Sequence, residues 1–204
     1  MRKITFPFAI LLLTSCAVSF KPIDPARLNY PSTAQLLGDS LRISYVNNIQ
    51  YMSHNKRYGD REVKRGMYAL AVQIENISSS SVTVTQDNLK IFSGEIQKRY
   101  CSSLEYSKNI KQRAGWHLLH ILWGPWSLRW QEDSNHGTEV HFVYIPIGAI
   151  VGIANAIHAG NANKANRETM EKFQPWGKEI APNKTLYALI TIHGVNGEQL
   201  IFSN

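Results

Sequence analysis

Tyr68-Ala69-Leu70-Ala71-Val72-Gln73-Ile74-Glu75-Asn76 reads as a β-strand, and the expected fold is built outward from it. Tyr68, Leu70, Val72 and Ile74 share one parity, which turns four large apolar side chains to one face of a pleated strand. Asn76–Ser81 is a serine-rich turn, after which Val82 and Val84, then Leu89, Ile91 and Phe92, resume short apolar runs. Upstream, Leu41, Ile43, Tyr45, Ile49 and Tyr51 share another parity and predict a strand through residue 51. Ser53–Gly66 lies between the two runs, is polar and charged, and predicts a loop.

The carboxy-terminal end repeats the pattern. Pro182-Asn183-Lys184 marks a turn, and Leu186, Ala188, Ile190 and Ile192 alternate behind it. Asn196-Gly197 then separates that run from Gln199–Phe202, a short-range signal for a β-hairpin. Val72-Gln73-Ile74-Glu75-Asn76, the serine turn and the β-branched run after it resemble bacterial immunoglobulin-like accessory domains. The resemblance covers residues 40–95 and implies a fold, not a function. The expected class is mainly β: an immunoglobulin-like β-sandwich over residues 39–204, with an apolar, then amphipathic, helical insertion around 146–174.

That insertion lies in a stretch of different character. Four of the five tryptophans fall within Trp116–Trp130, and no Asp, Glu, Lys or Arg occurs from Val140 to Asn163. Val140, Phe142 and Tyr144 predict a strand, and Pro146 suits the first turn of a helix. Gly148, Gly152, Ala156 and Gly160 recur every fourth residue and predict a small-residue face for close packing or membrane contact. His141, Asn155, His158 and Asn161 put polar groups along the same stretch. Packing on the protein is therefore expected in preference to a membrane span.

The amino-terminal residues carry an address. Arg2 and Lys3 precede an apolar run, Ile4–Leu13, that is too short to span a bilayer of ~30 Å. Leu13-Thr14-Ser15-Cys16 follows, an aliphatic residue and two small ones before cysteine. This segment resembles a bacterial lipoprotein signal. The resemblance implies diacylglycerol transfer to the Cys16 thiol, cleavage after Ser15, and acylation, palmitate among the chains, of the new amino terminus. Ala17 replaces the aspartate that retains many lipoproteins at the inner membrane, which implies the outer membrane of a Gram-negative cell envelope. Residues 16–38, with Pro22, Pro25 and Pro31, are expected to be a lipid-anchored linker.

Cleavage leaves roughly 190 residues, enough for one domain with a core. Apolar residues at 44% and charged residues at 18% describe a globular chain. The net charge of +7 falls to about +5 without Arg2 and Lys3 and suits anionic headgroups. No nucleic-acid motif is present, and no nucleic-acid partner is expected. The expected partners are membrane lipid, through acylated Cys16, and an envelope protein. With Cys16 acylated, Cys101 has no cysteine to pair with and reads as a buried thiol.

No catalytic residues and no cofactor are expected. The function expected is a lipid-anchored envelope binding or structural module. One alternative is a metal-dependent hydrolase using His117 and His120, with His136, His141, Glu132 or Asp133 completing the site. No His-Glu-x-x-His motif supports it. The other alternative is a subunit of a membrane complex.

Overall fold

The computed structural model describes residues 17–31, 34–119, 126–134, 137–145, 147–195 and 197–203, with the backbone alone for 126–134, 137–145 and Ile147. In chain order the strands are β1 (Gln35–Leu37), β2 (Leu41–Val46), β3 (Met67–Asn76), β4 (Val82–Thr83), β5 (Lys90–Ser93), β6 (Ile96–Gln97), β7 (Trp126–Ser134), β8 (Gly137–Ile145), β9 (Glu179–Ile180), β10 (Thr185–His193) and β11 (Ile201–Ser203). The α-helices are α1 (Ile49–Met52), α2 (Lys56–Arg65), α3 (Ser103–Ile110), α4 (Ala114–Leu118) and α5 (Ile147–Phe173). The chain divides into two compact units, Phe20–Lys111 with Asn163–Asn204, and Met1–Ser19 with Gln112–Ala162.

In the larger unit β3 is the central long strand. It pairs with β2 on one side and with β10 on the other, in a four-stranded antiparallel sheet ordered β1-β2-β3-β10. Tyr68, Leu70, Val72 and Ile74 all enter one core, with Ile43, Leu89, Ile91, Ala188, Ile190, Ile192 and Phe202. Ala69 and Ala71 point to the other face and are equally buried, so both faces of β3 are covered. Their small side chains suit the close approach of α1 and α2, which lie beside β3.

The structure is not a mainly-β sandwich. It is a mixed α/β fold of helices and small antiparallel sheets. The immunoglobulin-like expectation fails at three places. Ser53–Gly66, expected to be a loop, contains α2. Its inner side is built from Tyr58, Gly59 and Glu62, all buried, so the helix has an inward face but no run of apolar residues to mark it. Ile49 and Tyr51 do not extend β2. Asn48 takes a left-handed φ of 59° and turns the chain into α1.

The third failure is the expected terminal hairpin. β10 pairs with β3 along its whole length, from Thr185↔Glu75 to His193↔Met67. β11 pairs instead with β5, Ile201↔Phe92, in a three-stranded sheet ordered β11-β5-β6. Gly197, at φ +91°, therefore stands in a corner between sheets, not in a hairpin turn. Gln35 ties that corner down: its Nε2 donates to Leu200 O (2.7 Å), and its Oε1 accepts from Phe202 N (2.9 Å).

The segment following Ser19, expected to be a linker, is bound along the larger unit. Phe20 and Ile23 are buried, and Phe20 meets the Tyr58 ring edge-on at 5.2 Å. Asn55 exchanges two hydrogen bonds of 2.8 Å with the Lys21 backbone.

In the smaller unit β7 and β8 pair from Trp126↔Ile145 to Ser134↔Gly137. α5 begins in this unit and continues past Ala162 into the larger one. Among the described residues no helix is long and apolar enough to cross a membrane.

Candidate functional site

One place in the larger unit gathers reactive side chains from separate elements. Residues Arg99–Cys101 run beside the end of β10. Cys101 N–H donates to Thr191 O at 2.9 Å, Thr191 Oγ1–H donates to Cys101 O at 2.8 Å, and His193 N–H donates to Arg99 O at 2.9 Å. The next residue, Ser102, caps α3 by accepting from Glu105 N–H at 3.0 Å. This backbone frame places Cys101, Glu105 and His193 together. One sulfur, one carboxylate oxygen and one ring nitrogen lie within 4.8 Å of one another.

Charge is shared unevenly there. Glu105 Oε1 receives both Arg99 Nη2 at 3.1 Å and His193 Nε2 at 3.2 Å. Cys101 is a buried free thiol, and burial first, then the Glu105 charge, pushes it up to about 12, with Arg99 opposing. The sulfur is therefore protonated at neutral pH, and this Cys-His-Glu cluster does not present an activated nucleophile. It offers instead one soft and two harder donor atoms around a common point. Among the described residues, Cys101, Glu105 and His193 form the one such three-residue group that could hold a metal ion.

A buried polar network stands behind α3. Glu62 Oε1 accepts from Ala69 N–H at 2.8 Å and from Tyr106 O–H at 2.5 Å, and Gln50 Nε2–H donates to the same hydroxyl at 2.9 Å. Among the described residues, Glu62 Oε2 has no hydrogen-bond partner. Burial dominates over the two hydrogen bonds and raises the carboxyl to about 8.

The residues singled out by sequence lie elsewhere. His117 is buried on α4 in the smaller unit, whereas Cys16, His120 and the candidate third ligands His136, His141, Glu132 and Asp133 fall outside the described side chains. The small-residue face is only partly the packed one. Gly148 and Gly152 are buried, Ala156 is half-buried, and Gly160 is exposed. A repeat of four advances about 40° per step on a helix of 3.6 residues per turn, so the ridge winds off the inward face. The inward positions follow the helical period instead: Gly152, Ala159, Ala162 and Asn166.

Glu105 and His193 were not selected by sequence. Ser102-x-x-Glu105 is a capping-box pattern that marks the start of α3. His193 lies 88 residues from Glu105, and no local signal joins them.

No protein-family model matches the chain, and no curated protein or solved structure matches it either.

Proposed function

We propose that this chain is a lipid-anchored cell-envelope protein, a binding or structural module held by acylated Cys16 with its smaller unit against the bilayer. The observation that carries the reading is the seat of residues 17–19, directly after the proposed acylation point. Ala17 N–H donates to Asn155 Oδ1 at 3.3 Å, and Ser19 Oγ lies 2.9 Å from His158 Nε2. Val18 and Gln112 exchange two further bonds, of 3.1 and 2.6 Å. A flexible tether would leave these backbone groups to water; here residues 17 and 19 are held on α5.

The same unit exposes Trp116, Leu118, Leu119, Ile150, Ile153 and Ile157. Exposed apolar clusters of this kind mark interaction surfaces. With Ala17 after Cys16, the outer membrane of a Gram-negative envelope is the proposed site. A hydrolase built on His117 and His120 draws no support from the described residues.

Cys16→Ala tests the anchor. The variant is expected to accumulate as an unprocessed precursor, or to leave the membrane fraction, and to lose incorporation of labelled palmitate. Unchanged processing after Ser15, with unchanged fractionation, would overturn the proposal.

A further inference from the structure

We propose that Cys101, Glu105 and His193 bind a thiophilic divalent cation of the zinc class, through three protein ligands with a fourth position left to water. The donor set selects the metal. One sulfur, one imidazole nitrogen and one carboxylate oxygen suit zinc, which accepts mixed ligands in a tetrahedron. Calcium and magnesium take oxygen ligands almost exclusively.

The distances fit with little closure. Tetrahedral bonds of about 2.0–2.3 Å set ligand atoms roughly 3.5 Å apart. The three donor atoms already lie within 4.8 Å of one another. The parts that must stay fixed are fixed, because Cys101 is held through both its N–H and its carbonyl by Thr191. The parts that must move can move, since the side chains of Glu105 and His193 are about one-third exposed. Arg99, now on Glu105, is mostly solvent-exposed and can turn outward at small cost.

Charge closes as well. Binding replaces the Cys101 S–H bond with a sulfur–metal bond and releases that proton to solvent. The thiolate and the Glu105 carboxylate then balance the two positive charges of the cation, and neutral His193 adds none. A neutral site suits a buried sulfur far better than a bare thiolate would. The cation would fasten the first turn of α3 to the end of β10, two elements now joined there by the Glu105–His193 hydrogen bond.

The test uses full-length chain carrying Cys16→Ser, purified in detergent, so that Cys101 is its one cysteine. Cobalt(II) is titrated as a spectroscopic substitute for zinc. The expected result is one equivalent bound, with a thiolate-to-cobalt charge-transfer band in the near ultraviolet, displaced by zinc. Zinc should also protect Cys101 from alkylation and raise the melting temperature. His193→Gln and Glu105→Gln, each about one-third exposed and checked for folding by circular dichroism, should weaken binding by on the order of 100-fold. His117→Gln should bind as the parent does. Absence of the charge-transfer band, or a band that survives His193→Gln and Glu105→Gln unchanged, overturns the proposal.

Discussion

Glu62 shows how a single buried residue shapes both the fold and its pH response. Its carboxyl is ionised in the unfolded chain above about 4.5 but holds its proton in the folded protein up to about 8. Between those values the folded state binds more protons, so stability is full below about 4.5 and is lost as pH rises through 8. Glu62→Gln keeps an acceptor for Ala69 N–H and the Tyr106 hydroxyl and removes the titration. The variant is expected to gain on the order of 4 kcal/mol relative to the parent between pH 5 and pH 8.5. Urea denaturation at several pH values measures it, and parallel pH profiles for the two proteins would refute the assignment. Sequence alone could not supply this residue. A glutamate among Lys56, Arg57, Asp60, Arg61, Lys64 and Arg65 looks like one more solvated charge. Cys101 was legible as a buried thiol because lone cysteines usually are. Its neighbours Glu105 and His193 were not, because a cluster assembled across 88 residues leaves no local pattern.

Whole elements were legible where hydropathy carried them. β3 and β10 announce themselves by alternation, and both lie in the core as the parity requires. α2 was hidden because its buried face is Tyr58, Gly59 and Glu62, with Val63 left outside. The false hairpin had a different cause. Asn-Gly marks positive φ, and at Gly197 a positive φ serves a corner between sheets. Two glycines separate backbone from packing, because a Cβ at Gly160 or at Gly197 would meet nothing within 4 Å. Gly160 lies mid-helix in α5, so Gly160→Ala should stabilise by about 0.5–1 kcal/mol through helix propensity. Gly197 has φ +91°, where a β-branched side chain is strained, so Gly197→Val should destabilise by about 1–2 kcal/mol. Thermal melts of the two variants should move in opposite directions, and a shift in the same direction would contradict the backbone argument.

At the scale of the whole molecule, two stretches of the smaller unit combine exposed apolar side chains with almost no charge. In the stretches Gln112–Leu119 and Gly148–Ala162 of the smaller unit, Arg113 is the one charged side chain. Ile150, Ile153 and Ile157 recur at three and then four residues, which sets them on one face of α5, and all three are exposed. Residues 17 and 19 sit on residues 155 and 158 in the same order, so this segment runs along α5 with residue 17 nearer the Ile150 end. An acyl anchor emerging there would bring a bilayer alongside a helix only about 10 Å across. A chain of residues 17–204, produced without the signal segment or lipid, isolates the contribution of the protein surface itself. Replacing Ile150, Ile153 and Ile157 together with serine should lower its partition into anionic phospholipid vesicles by on the order of 10-fold or more, from partial loss of ~1.5–3 kcal/mol per isoleucine. The helix should survive, because none of the three side chains is buried. Equal vesicle binding by parent and variant would show that this face does not rest on lipid. If the variant also loses a co-purifying envelope protein, the face would then be a protein interface.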